Sequence, residues 1–154
     1  TNVRSAVDMQ AAVMAALPRA DVFIATAAVA DWRPEQAATQ KIKKDGSGQM
    51  PALQWTENPD ILAEAAATDR ARNGDLYCIG FAAESHDLLA HAQAKLARKK
   101  VPLIVGNIGA DTFGADDNAL LLVDANGAAE WPRAPKTELA QRLVAEIAKR
   151  IQRS

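Results

Sequence analysis

Asp21-Val-Phe-Ile-Ala-Thr-Ala-Ala-Val-Ala-Asp31, running on to Lys41-Ile-Lys-Lys44, is the stretch that decides how this chain reads. Val22, Phe23 and Ile24 are β-branched or aromatic, and Ala25, Thr26, Ala27 and Ala28 are small. The pattern predicts a buried strand over about Val22 to Ala27 that gives way to a loop. Ligands of open α/β sheets sit beyond the carboxyl ends of strands, so Ala25 to Asp31 falls where a binding edge would be. Lys41, Lys43 and Lys44 follow. A carboxylate near a ligand, with lysines able to reach phosphates, points to anionic, nucleotide-like chemistry. A buried strand followed by a solvated basic loop fits the same residues, and spacing alone does not separate the two.

On either side, helical and strand patterns alternate. Before the strand, Ser5 and Asp8 form a capping-box variant ahead of a helix carrying Val7, Ala11, Met14 and Leu17 on one face, and Pro18 stops it. Val3 reads as the end of an earlier strand. Residues 28 to 51 look irregular, with Ala52 to Trp55 a short strand that Lys41 to Lys44 could pair with. In an extended Lys41–Lys44, Lys41 and Lys43 point one way and Ile42 the other. Asn58, Pro59 and Asp60 suit the N-cap, first position and first turn of a helix running to about Thr68. Such a start either only begins a helix or offers free N–H groups to a ligand.

Leu76 to Phe81 reads as a second buried strand. Cys78 within it is a packed residue rather than a nucleophile, because no positioned base is evident. Phe81 fits either the core or a stacking surface for a base, and core is the simpler reading. The helix Asp87 to Lys100 sets Lys95 and Lys99 at i and i+4, where like charges repel unless an anion sits between them. His86 and His91 read as surface residues. Val101 to Val105 is a third strand ended by Gly106-Asn107, and a polar loop of 113–118 follows. Asp124-Ala-Asn-Gly127 turns a hairpin. The last helix, Thr137 to about Gln152, carries Leu139, Leu143, Ile147 and Ile151 as a stripe. The predicted fold is α/β: a Rossmann-like, mainly parallel sheet with right-handed crossovers and helices on both faces, plus a C-terminal β-hairpin and helix.

The bulk numbers set limits. The 154 residues fit a single domain with a real core. A net charge of −1 gives no general affinity for nucleic acid or an anionic membrane. One cysteine rules out an internal disulfide and suits a reducing cytoplasm. No apolar run approaches the roughly 20 residues that span a bilayer. Neither G-x-G-x-x-G nor G-x-x-x-x-G-K-[ST] occurs, which counts against a Rossmann-like oxidoreductase and a P-loop enzyme.

Five blocks in order carry a resemblance: Ala27-Ala-Val-Ala-Asp31, Lys41-Ile-Lys-Lys44, Asn58-Pro-Asp-Ile61, Gly80-Phe-Ala-Ala-Glu84, and Asp116-x-Asn118-Ala119. Together they resemble phosphopantothenate–cysteine ligase, in bacteria usually the C-terminal synthetase half of a bifunctional coenzyme A biosynthesis protein. The resemblance implies CTP as co-substrate, Mg²⁺ or Mn²⁺ with unassigned ligands, and 4′-phosphopantothenate and cysteine as substrates. The phosphopantothenate carboxylate attacks the α-phosphate of CTP, and cysteine then attacks the acyl-cytidylate. It also implies a cytoplasmic homodimer, with FMN only where a flavin-dependent decarboxylase half is joined.

By position, Ala25, Thr26, Ala27 and Asp31 match the family's nucleotide edge. Lys41 matches the triphosphate lysine and is the candidate catalytic residue. Pro59, Asp60, Ile61 and Leu62 match a helix start that contacts nucleotide. Phe81 matches a pocket aromatic, and Lys95 and Lys99 match a pair of nucleotide-binding lysines. Asp116 and Asn118 match a motif of either supporting or contacting role. The family's synthetase domain begins before Thr1, so the resemblance reads this chain as N-terminally truncated. That leaves two alternatives, a competent ligase domain or a CTP-binding fragment without catalysis, with a sheet edge open to self-association.

Overall fold

The computed structural model describes residues 1–36, 46, 52–108 and 114–152. Lys41 to Lys44 lie outside them, so the expected pairing of that segment and the placement of Lys41 do too. The element order is α1 (Ala6–Ala16), a 3₁₀ turn (Leu17–Arg19), β1 (Val22–Ala25), β2 (Trp32–Pro34), β3 (Trp55–Glu57), α2 (Ile61–Ala66), α3 (Asp69–Arg72), β4 (Tyr77–Glu84), α4 (Leu88–Lys99), β5 (Leu103–Ile108), β6 (Asp117–Asp124), β7 (Gly127–Pro135) and α5 (Lys136–Ile151). One sheet runs β1-β4-β5-β6-β7, and β2 and β3 form a separate ribbon. β1, β4 and β5 are parallel neighbours, and only β6 runs against the other four strands.

Side chains of period two divide the core between the two faces of the sheet. Cys78, Ala82, Ile104, Leu121 and Val123 face α2 and α4, where they meet Leu62, Ala65 and Ala92. Ile79, Leu103, Val105, Leu120 and Leu122 face the other way, against Leu139, Leu143 and Ile147 of α5. Helices therefore cover both faces, as expected. Three members of the α5 stripe are buried, while Ile151 at its end is 37% exposed.

Several boundaries move, each for a physical reason. Val3 lies in no strand. Ser5 and Asp8 do form the capping box, but Val7 is exposed, and Val13 and Met14 carry the contact with the core. Pro18 sits inside the 3₁₀ turn, where its missing N–H costs nothing. β1 is four half-buried residues rather than a buried strand, because among the described residues it stands at the sheet edge and pairs with β4 alone. The strand near Trp55 starts later than expected and pairs antiparallel with Trp32–Pro34. β4 continues to Glu84. β5 starts after Pro102 and runs through Gly106 and Asn107 instead of ending there. β6 takes in Asp117 and Asn118 from the expected loop.

Two glycines permit close packing. A Cβ on Gly80 would lie 2.5 Å from Leu62 Cδ2 and 2.8 Å from Ile104 Cδ1, and one on Gly106 would lie 2.9 Å from Leu88 Cδ1. Arg70 joins the α1–β1 connection to the β4 approach, donating to the carbonyls of Leu17 (2.7 Å), Ala20 (2.7 Å) and Asp75 (3.0 Å). The Leu17 and Ala20 carbonyls lie on buried and half-buried residues, so their acceptors would otherwise depend on water.

Two outcomes test this packing. Gly80→Ala is expected to destabilise the fold by about 1–3 kcal/mol in urea unfolding, the range for overpacking a tight core; an unchanged midpoint would contradict the close approach of Leu62. Cys78 is 1% exposed, and burial pushes its thiol up to about 11. A disulfide-exchange reagent is expected to label it only at the rate of opening, with fast labelling in denaturant.

Candidate ligand cleft

A cleft of about 700 Å³ opens at the carboxyl end of β1, beside β4, between the loop after β1, the start of α2 and the last turns of α4. Of the twelve residues singled out from the sequence, eleven line it: Ala25, Thr26, Ala27, Asp31, Pro59, Asp60, Ile61, Leu62, Phe81, Lys95 and Lys99. Lys41, the twelfth, is outside the described residues. Asp116 and Asn118 do not line the cleft. The Asp116 carbonyl accepts the Lys136 N–H, and Asn118 Oδ1 accepts the N–H of Ala119 beside a bulge in the β6–β7 pairing.

The loop after β1 is held by Asn58. Its Nδ2 donates to the Ala30 carbonyl at 2.8 Å, and its backbone N–H donates to the Asp31 carbonyl at 2.7 Å. Arg33 Nη1 donates to both the Glu57 carbonyl (2.6 Å) and Asn58 Oδ1 (3.1 Å). Asn58 is thus not the helix cap that its position before proline suggests. Asp60 is: its Oδ1 accepts the Ala63 N–H at 3.1 Å. Pro59 then precedes the cap, and one of the N–H groups expected to be free is already satisfied. Small side chains at Ala25, Thr26 and Ala27 leave the floor of the cleft open, and the Asn58 bonds fix Asp31 at its rim.

The basic wall comes from α4. Lys95 Nζ donates to the Phe81 carbonyl at 2.6 Å. Burial, and behind it the charge of Lys99, lowers the Lys95 ammonium below the ordinary lysine range. Lys99 Nζ is bound by Asp60 Oδ2. Burial alone would raise the Asp60 carboxyl; the Lys99 hydrogen bond, the Ala63 N–H and the charges of Lys99 and Arg98 outweigh it and hold it below the usual range. The i, i+4 lysines therefore reach different acceptors, which relieves their repulsion. Phe81 packs on the α5-side core, as the simpler reading has it, and it also lines the cleft.

Arg98 and Trp32 line the cleft as well and were missed. Arg98 was legible in principle, since i+3 from Lys95 shares its face. Trp32, 53% exposed, follows Asp31 directly, but nothing in its sequence context separates a rim residue from an edge strand. His86 and His91 are exposed as expected. Their rings meet edge to face at 5.3 Å, and His91 Nδ1 lies 3.1 Å from Glu84 Oε2. Among the described residues, no group of three His, Cys, Asp or Glu side chains could hold a metal ion, and no helix is long and apolar enough to cross a membrane.

A cleft of this size with three cations on one wall suits a multiply charged, nucleotide-sized ligand. The family model described as "DNA/pantothenate metabolism flavoprotein C-terminal domain" matches residues 1–151. The coenzyme A biosynthesis bifunctional protein CoaBC of Vibrio cholerae is 39% identical over 142 residues, covering 90% of this chain and 35% of that protein. Its Escherichia coli counterpart is 38% identical over 153 residues, 97% of this chain and 37% of that protein. The chain thus spans about a third of the length of these curated relatives. A crystal structure of the C-terminal domain of CoaBC superposes with a TM-score of 0.77 at 27% identity, covering 100% of this chain and 66% of that one. The fold, the order of its elements and the match over 151 residues place this chain in the DNA/pantothenate metabolism flavoprotein C-terminal domain family.

Proposed function

We propose that this chain carries phosphopantothenate–cysteine ligase chemistry, the CTP-dependent joining of cysteine to 4′-phosphopantothenate through an acyl-cytidylate, in coenzyme A biosynthesis. The observation that carries the reading is the convergence of Ala25, Asp31, Asp60, Phe81, Lys95 and Lys99 on one cleft, in a chain whose relatives bear the name of a coenzyme A biosynthesis protein.

In the first step, an oxygen of the phosphopantothenate carboxylate attacks the α-phosphorus of CTP. The bond to the bridging oxygen breaks, and pyrophosphate leaves. In the second, the cysteine amine attacks the acyl carbon, the acyl–oxygen bond breaks, and CMP leaves. A carboxylate oxygen is a poor leaving group, and the cytidylate replaces it with a phosphate monoester. The task left to the chain is mostly positioning and charge stabilisation.

In this reading Ala25 to Ala27 admit the nucleoside, and Asp31, fixed by Asn58, contacts it. Lys95, Arg98 and Lys99 offset charge on the phosphates, and Lys41 supplies the transition-state cation. The described residues offer no three-ligand cage for Mg²⁺ or Mn²⁺. A cytoplasmic homodimer, joined in some proteins to a flavin decarboxylase half, belongs to the same reading. The competing reading, a nucleotide-binding piece that catalyses nothing, predicts the same cleft without turnover.

The protein carrying this chain, given Mg²⁺, CTP and phosphopantothenate, is expected to release pyrophosphate before cysteine is added and CMP only afterwards. Lys95→Ala is expected to lower kcat/KM by at least about tenfold, the effect of losing a charge-stabilising donor. Binding of CTP with no pyrophosphate release would favour the binding-only reading. Equal turnover with ATP would contradict the CTP assignment.

A further inference from the structure

We propose that Asp60 is an internal counter-anion of the cleft, which holds Lys99 until a phosphoryl group of the ligand takes that lysine over. The inference rests on the phosphate-binding reading above. It recasts Asp60 from a nucleotide contact to the group that the nucleotide displaces.

Three observations carry it. The Lys99 side chain is only 13% exposed, whereas that of Asp60 is 46% exposed. A cation so far removed from water needs a counter-charge, and Asp60 supplies it. Of the two partners, Asp60 is the one that returns to water at lower cost.

Asp60 also divides its oxygens. Oδ1 caps α2 through the Ala63 N–H, and Oδ2 binds Lys99. The carboxylate can therefore give up the lysine and keep the cap. It marks a boundary between two tasks, one structural and one exchangeable.

The neighbouring cations set the direction of the exchange. Lys95 is held by a neutral acceptor, the Phe81 carbonyl, and Arg98 lines the same cleft. Three cations thus stand against the Asp60 carboxylate on this wall. A di- or triphosphate brings more negative charge to Lys99 than one carboxylate does. A carboxylate left in place beside it would repel it. Release of Oδ2 removes that repulsion and gives the ligand a lysine already positioned by the fold.

The test is calorimetric titration at low salt with Mg²⁺·CTP and with inorganic pyrophosphate. Four proteins are compared: wild type, Asp60→Asn, Lys99→Gln and the double variant. Asparagine retains an oxygen able to cap α2, and thermal melting checks that the fold survives. Asp60→Ser, which also caps, repeats the measurement if the asparagine variant is unstable.

Asp60→Asn is expected to tighten pyrophosphate binding by about threefold to tenfold, and Lys99→Gln to weaken it by about tenfold, the scale for charge pairs in binding sites. In the Lys99→Gln background, Asp60→Asn is expected to gain less than about twofold, because the exchange needs the lysine. Weaker binding by Asp60→Asn would overturn the proposal by making Asp60 a fixed support for Lys99. An equal gain in both backgrounds would overturn it by making Asp60 a plain distant charge. If the wild type binds neither ligand, the phosphate-site reading itself falls and takes the inference with it, whereas wild-type binding with either overturning pattern leaves that reading standing.

Discussion

The close approach of Leu62 to Gly80 is the constraint on which the site depends. β4 lies between β1 and β5, with buried side chains on both faces. At Gly80 it has no side chain, and α2 settles against that gap through Leu62. The residues just before Leu62 are Pro59, Asp60 and Ile61, so the packing of one leucine sets the start of α2 over the sheet edge. One residue further along β4, the Phe81 carbonyl receives Lys95. A contact made for packing thus fixes the distance between the acidic cap of α2 and the basic face of α4.

Charge then completes what packing begins. Lys95 and Lys99 lie on one helix face and would repel each other if left alone. The fold gives each its own acceptor, a carbonyl on β4 and a carboxylate on α2. The result is a wall that is positive but not bare, facing a loop that Asn58 ties in place through Ala30 and Asp31. The hydrogen bonds that tie the loop are individually modest in net energy. Their effect is to define where an anion can sit.

Much of this was legible in the sequence because it is local. The period-two strands, the Ser5–Asp8 box, the two-residue hairpin turn and the α5 stripe all follow from neighbouring residues. The parts that were not legible depend on distant partners. Asn58 has every local mark of a cap, but its side chain serves Ala30, 28 positions away. Trp55 to Glu57 form a strand because Trp32 to Pro34 are there to pair with them. Arg98 enters the cleft through the same helix face as Lys95, and periodicity does not distinguish a cation facing a ligand from one facing water. Eleven of the residues singled out from the sequence meet at the cleft from four separate segments, the loop after β1, the start of α2, β4 and α4, whereas Asp116 and Asn118 do not line it.

The central claim is that the cleft beyond β1 is where the chain meets its nucleotide. Amide chemical-shift mapping of the labelled chain during titration with CTP and Mg²⁺ tests it most directly. The account predicts the largest changes at residues 25–31, 58–62, 81 and 95–99, with the β6–β7 hairpin and the α5 face little affected. Changes centred on α5, the hairpin or the Arg70–Tyr77 side of the molecule would contradict it.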